Sequence, residues 1–295
     1  MKQRKIKKQL LTEKRRRIIL GKKEEQRMKV LLTGAQGFVG ARIREHMPVI
    51  AAPSLRNATL DQVKKLMDET CPDAVIHTAA VSDIPSCEKD PEGSYHANVL
   101  LPLYLAKAAP GIKHVMFSSD QVYAGCEEKG PYREDTVYPS NRYARQKLEM
   151  EERVLAISPD AVMLRATWMY DMPMYGVPNR GNLIMNMLMA AARREPLSFS
   201  AAQYRGITYV REVARCTEQA LQLPGGVYNF GSENDVSMYD AACFLAKLLK
   251  LDVEITPGEP RHNLWMDCSK IKAQGIHFSS TLEGLKMCAE DYQLG

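Results

Sequence analysis

The segment from Met28 to His46 constrains this chain more than any other. A short apolar run of strand length, Met28-Lys29-Val30-Leu31-Leu32-Thr33, leads into Gly34-Ala35-Gln36-Gly37-Phe38-Val39-Gly40 and then into a helical stretch from Ala41 to His46. The order strand, tight turn, helix leaves the free N–H groups of the helix N-terminus facing the turn, where they and the helix dipole favour an anion. Glycines at 34, 37 and 40 let the backbone bend sharply, approach a bound pyrophosphate and pack the helix close to the strand. Glycines also mark ordinary turns, so the motif gains its meaning from this context.

The alternation continues downstream. Strand runs are expected at Pro48 to Ala52, Asp73 to His77, His114 to Ser119 and Ala161 to Arg165, and helices at Leu60 to Glu69, Asn98 to Ala109 and Arg142 to Ile157. Strands that alternate with helices form a mainly parallel sheet covered on both faces. The expected fold class is α/β, a Rossmann-like doubly wound parallel sheet with a smaller, discontinuous substrate domain. After Trp168 the residues Pro173, Gly176, Pro178 and Gly181 follow closely, which suggests a change of domain. The expected organisation is a dinucleotide domain over 28–165 and a mostly substrate-binding region over 166–295, some segments of which return to the first.

Composition limits the alternatives. Of 295 residues, 45% are hydrophobic and 25% charged, as in ordinary globular proteins, and no apolar run approaches a membrane span. The seven cysteines are scattered without a C-x-x-C pair, and neither they nor the histidines show metal-ligand spacing. Neither disulfides nor a metal are expected, and a cytoplasmic setting fits. Charge is concentrated at one end: residues 1–27 hold twelve Lys or Arg against three acidic residues, so the rest of the chain is mildly acidic despite the overall +5. Such a block can bind nucleic acid through phosphates. It reads more simply as a basic extension outside the fold, so no nucleic-acid or membrane partner is expected.

Tyr143 and Lys147 stand four apart in a helical stretch, one turn apart on one face. An ammonium beside a phenol favours the phenolate, which suits acid/base work near neutral pH. Ser119, at the end of a strand, can hydrogen-bond a substrate oxygen. A bare Tyr-x-x-x-Lys is common on helices. Following a glycine turn and a serine at a strand end, it is far rarer by chance.

With these residues in place, the chain resembles the extended short-chain dehydrogenases/reductases, and within them the dTDP-4-dehydrorhamnose reductase group. The resemblance runs from Met28 to the C-terminus. It is carried by Thr33 to Gly40, Ala79-Ala80, Asp90-Pro91, Asn98, Phe117 to Tyr123, Pro131 to Asp135, Pro139 to Lys147, Leu164 to Tyr170, Arg261-His262-Asn263 and Asp267 to Lys270. It implies that Tyr143 is the proton donor, that Lys147 tunes Tyr143 and holds the nicotinamide ribose, and that Ser119 positions the carbonyl. It further implies cofactor contacts from Gly34, Gln36, Gly37, Phe38, Val39, Gly40, Arg56, Ala79, Ala80 and Asn98. Substrate contacts are implied for Ser82, Asp120, Trp168 and Arg205, with Arg205 on a nucleotide diphosphate. Ala144, Gln146 and His262 depart from the family pattern.

Two local features refine the expectation. No acidic residue follows the second strand run, where the chain reads Ala51-Ala52-Pro53-Ser54-Leu55-Arg56. A carboxylate there would bind a ribose 2′-hydroxyl and repel a 2′-phosphate. With Arg42, Arg44 and Arg56 nearby, NADP(H) is the expected cofactor and NAD(H) the alternative. Dehydratases of this superfamily carry Asp-Glu where this chain has Asp120-Gln121, and glutamine cannot act as their carboxylate base. The expected activity is reduction of a nucleotide-linked 4-keto-6-deoxy sugar. An NDP-sugar epimerase and a non-catalytic NADP-binding regulatory protein are the alternatives, and a homodimer is considered.

Overall fold

The structure is a computed structural model that describes residues 28–178 and 181–294. The basic segment 1–27 lies outside the described residues. In chain order the first half comprises β1 (Val30–Thr33), α1 (Phe38–His46), β2 (Ile50–Ala51), α2 (Leu60–Thr70), β3 (Ala74–His77), α3 (Ile84–Lys89), α4 (Pro91–Tyr95), a π-helical turn (His96–Leu100), α5 (Leu101–Ala108), β4 (Lys113–Ser119), a 3-10 turn (Asp120–Tyr123) and α6 (Arg142–Ile157). It continues with β5 (Val162–Ala166), β6 (Trp168–Tyr170), α7 (Leu183–Arg193), β7 (Leu197–Ser200), β8 (Ile207–Tyr209), α8 (Val210–Ala220), β9 (Gly226–Phe230), α9 (Met238–Leu248), β10 (Ile255–Gly258), α10 (Ser269–Lys272) and α11 (Thr281–Asp291).

Six strands form one wholly parallel sheet in the order β2-β1-β3-β4-β5-β9. Alternate strand residues serve opposite faces, as the two-residue period of a strand requires. Val30, Leu32, Val115, Phe117, Val162 and Leu164 join one core with Ile43 of α1 and Val213 of α8. Leu31, Val75, Met116 and Met163 join the other with Val63 and Met67 of α2, Leu105 of α5, and Met150 and Val154 of α6. Each fully buried side chain of this kind contributes about 1.5–3 kcal/mol, so both helical layers are held to the sheet.

A third core gathers Tyr170, Ile207, Tyr209, Met187, Leu245 and Leu285 from the later half. That half also sends β9 and α8 back to the main sheet. The order in which strands are added across the sheet reverses at β1, which is flanked by β2 on one side and β3 on the other. A crevice opens at such a switch point, at the carboxyl ends of the strands.

Three local departures from the sequence expectation have physical causes. The second strand shrinks to Ile50–Ala51, paired with Leu31 and Leu32 at the sheet edge, and it is flanked by Pro48 and Pro53, which have no N–H to give to the ladder. Asn98 lies on a π-helical turn, not in a regular helix, which begins at Leu101. The helices α3 and α4 were not expected. Each starts with an aspartate N-cap, Asp83 or Asp90, and a proline in its first turn, a start signal the sequence does carry.

Candidate active site

Along the switch point runs one cleft of about 1460 Å³, which continues toward the later half of the chain. Its floor begins at the glycine turn. Gly34 has φ +73°, and a Cβ there would come within 2.7 Å of Ala79 N and Thr78 Oγ1, so the turn after β1 rests directly on the loop after β3. A Cβ on Gly40 would meet Gly34 O at 2.2 Å, which is how the first turn of α1 packs onto the bend. Gly37 caps α1 with extended backbone and no side-chain bond, so the first helical N–H groups are not claimed by a capping side chain. These are the two requirements of a pyrophosphate cradle, and the residues present fit a dinucleotide.

Gly34, Gln36, Gly37, Phe38, Val39, Arg56, Ala79, Ala80 and Ser82 all line the cleft, as do Ser119, Asp120, Tyr143, Lys147, Trp168 and Arg205. Gly40 does not; it packs behind the turn. Asn98 does not either. It is fully buried, its Oδ1 accepts from Val81 N at 2.9 Å, and its Nδ2 donates to Val81 O at 2.9 Å and Gln146 Oε1 at 2.8 Å. Its amide is therefore spent on the backbone of the loop that carries Ala79 and Ala80, and direct cofactor contact gives way to support from behind. Gln146 continues the chain to Ser94 Oγ at 3.0 Å, which accounts for this departure from the family pattern.

Helix α6 carries both Tyr143 and Lys147. Asn141 caps it by accepting from Ala144 N at 2.9 Å, which sets Tyr143 in its first turn and Lys147 one turn later. The Lys147 ammonium lies 5.9 Å from the Tyr143 ring centre and donates to Phe117 O at 2.8 Å. Burial pushes Lys147 down to about 8, against the opposing pull of Glu151. One further turn along, Glu151 accepts from Ser118 Oγ and receives the Arg165 guanidinium at 2.7 Å, with both side chains almost wholly buried. Arg165 also reaches Tyr123 Oη at 2.9 Å and Glu134 O at 2.7 Å. This network fixes α6 against the ends of β4 and β5.

Ser119 closes β4. Its Oγ accepts from Gln121 N at 3.2 Å and donates to Asp120 Oδ1 at 3.2 Å. Asp120 Oδ2 is paired with Arg205 Nη2 at 2.7 Å, and the Arg205 guanidinium sits 5.6 Å from the Trp168 ring centre. Burial raises the Asp120 carboxyl above the usual carboxylate range, with Arg205 opposing the shift. One edge of Arg205 is thus already committed to a carboxylate, and a two-edged clamp on a diphosphate is not available without breaking that pair. His77, which the sequence reading leaves as structural, is fully buried 2.6 Å from Thr33 Oγ1, and burial drives it down to about 3, so it stays neutral.

The arginines near the second strand separate sharply. Arg42 is 2% exposed and ion-paired to Asp171, which removes it from any role toward a 2′-phosphate. Arg44 is exposed on α1 and outside the cleft. Arg56 remains, exposed and lining the cleft beside Ser54 and Asn57. The lining also includes Arg261, Gln203, Asn182, Asn186, Ser200 and Phe199, which the sequence reading did not assign to the site. Among the described residues no group of His, Cys, Asp and Glu is arranged to hold a metal. No helix there is long and apolar enough to cross a membrane.

A parallel doubly wound sheet, a glycine cradle at its switch point and Ser119, Tyr143 and Lys147 along one cleft define the extended short-chain dehydrogenase/reductase class. Within that class, the family model described as RmlD substrate binding domain matches residues 28–292, and the chain belongs to that family. It is 30% identical over 234 residues to a dTDP-4-dehydrorhamnose reductase of Aggregatibacter actinomycetemcomitans, covering 72% of this chain and 76% of the relative. It is 28% identical over 282 residues to methionine adenosyltransferase 2 subunit beta of Xenopus laevis, covering 84% and 83%. A solved dTDP-4-dehydrorhamnose reductase of Bacillus anthracis in complex with NADP superposes with a TM-score of 0.80, over 90% of this chain and all of that one, at 21% identity. At that identity the superposition speaks for the fold.

Proposed function

We propose that the protein is an NADPH-dependent reductase of a nucleotide-linked 4-keto-6-deoxy sugar, of the dTDP-4-dehydrorhamnose reductase kind. The observation that carries this reading is the convergence of Ser119, Tyr143 and Lys147 on the cleft that holds the glycine cradle. The reductase relative, matched over most of both chains, supports the sugar-nucleotide substrate. The cleft's volume of about 1460 Å³ leaves room for both ligands, and its lining from the later half of the chain offers amide, hydroxyl and guanidinium groups suited to a nucleotide.

A bound nicotinamide cofactor supplies the hydride that adds to the carbonyl carbon and is left oxidised. The chain supplies the rest. Tyr143 gives its phenolic proton to the carbonyl oxygen, completing the alcohol. Lys147 holds positive charge one turn away and offsets the charge left on the phenolate. Ser119, whose proton rests on a long bond to Asp120, has a better acceptor in the developing alkoxide. Asp120-Gln121 provides no second carboxylate for the elimination of water.

Transfer of deuterium from labelled NADPH into the product of a dTDP-4-keto-6-deoxy sugar, read by mass spectrometry, tests the reading. One deuterium per product is expected; an unlabelled, isomerised sugar would favour an epimerase. A second reading, a non-catalytic NADP-binding protein, gains support from relatives named as a subunit of another enzyme, methionine adenosyltransferase 2 subunit beta. NADPH binding with no turnover of any ketosugar would select it. The reading places the enzyme in the cytoplasm, and light scattering of the purified protein decides the homodimer.

A further inference from the structure

We propose that Arg42 is a positioning residue that ties the substrate-side wall of the cleft to the dinucleotide turn, so that a cofactor seated on the turn orders the wall. The inference rests on the NADPH reading above. Arg42 lies in the second turn of α1 and does not itself line the cleft. Its Nε donates to Asp171 Oδ2 at 3.0 Å, its Nη2 to Met172 O at 2.8 Å and its Nη1 to Phe38 O at 3.3 Å. The guanidinium also lies 4.5 Å from the centre of the Phe38 ring.

Asp171 is held from the other side as well. Its carbonyl accepts from Asn182 Nδ2 at 2.8 Å, and its Oδ1 accepts from Met172 N at 2.8 Å. It follows directly on β6, which carries Trp168. Phe38, Trp168 and Asn182 all face the cleft, Phe38 on the dinucleotide side and the other two on the far side. One buried side chain therefore grips both walls, through residues 129 positions apart in sequence.

The chemistry of the grip is specific to arginine. A buried ion pair alone adds little net stability against an apolar pair of equal volume. What the planar fork adds is a fixed angle among three acceptors on two chain segments. A lysine keeps the charge and loses the fork. Contact between a ligand and Phe38 is thus passed through the guanidinium to the Asp171-Met172 backbone and the strand beside it.

Hydrogen–deuterium exchange of the full chain, with and without NADPH alone, tests this. In the native protein NADPH should slow exchange in the turn around Gly34 to Gly40 and also around Trp168 to Met172, the latter by about fivefold or more, the lower end of ordinary site-to-site coupling. In Arg42→Lys and in the uncharged pair Arg42→Met/Asp171→Asn, the turn should remain protected while protection of the wall is lost. Melting temperatures and exchange in the central strands show whether each variant is folded, and the uncharged pair guards against a buried, unpaired carboxylate. Equal wall protection in native and variant proteins, or a protected turn with an unprotected wall in the native protein, would overturn the inference and leave the reductase reading intact. No protection of the turn in the native protein would overturn both.

Discussion

Arg205 Nη2 stands 2.7 Å from Asp120 Oδ2, an ion pair that joins the end of β4 to the segment ahead of β8 across the cleft. Since Asp120 also receives the Ser119 hydroxyl, the pair governs how freely Ser119 can turn to a substrate. Arg205→Met removes the charge that opposes the burial-driven rise of Asp120. The ionised carboxylate would then survive only at higher pH. The acid limb of kcat/KM is expected to move to higher pH. An unchanged pH profile would detach Asp120 from the reaction.

Lys147 carries a burial cost. Burial lowers it from 10.5 to about 8, so the cost of the buried ammonium is fully present below pH 8, shrinks as pH rises from 8 to 10.5 and vanishes above. Lys147→Met should abolish turnover and stabilise the fold at pH 7, by up to roughly 3 kcal/mol. Denaturant melts at pH 7 and pH 10.5 check this. The gain should be present at the first and absent at the second.

Cofactor choice falls on Arg56. With Arg42 consumed by Asp171 and Arg44 outside the cleft, Arg56 is the arginine of the three placed to meet a 2′-phosphate. Arg56→Glu should weaken NADPH about 10- to 100-fold, the range of a charge-assisted hydrogen bond, with little effect on NADH. Fluorescence titration with both cofactors measures it. Equal losses for the two would remove Arg56 from phosphate recognition.

The legible parts of this protein are those set by local pattern. The strand at Val30–Thr33, the glycine turn and the helix Arg142–Ile157 follow from periodicity and caps, and they bring Gly34, Tyr143 and Lys147 to one cleft. What the sequence hides is pairing over distance. Nothing near Arg42 in the chain announces Asp171, and nothing near Arg205 announces Asp120, because a side chain's partner is set by packing of remote elements. Both arginines read locally as candidates for a phosphate, and both turn out to be held by a carboxylate. Asn98 shows the same limit, since its amide faces Val81 only because the π-helical turn aims it there. Beyond Trp168 the short strands and loops lack a long period, and the lining residues Arg261 and Gln203 could not be placed without the fold.

The central claim is best tested by NADPH consumption of the purified protein with a dTDP-4-keto-6-deoxy sugar, native against Tyr143→Phe. The account predicts turnover by the native protein and a fall in kcat of about 10²- to 10⁴-fold in the variant, the usual share of general acid catalysis, with NADPH affinity kept. Turnover that survives in Tyr143→Phe at the native rate, or none in the native protein despite bound NADPH, would contradict it.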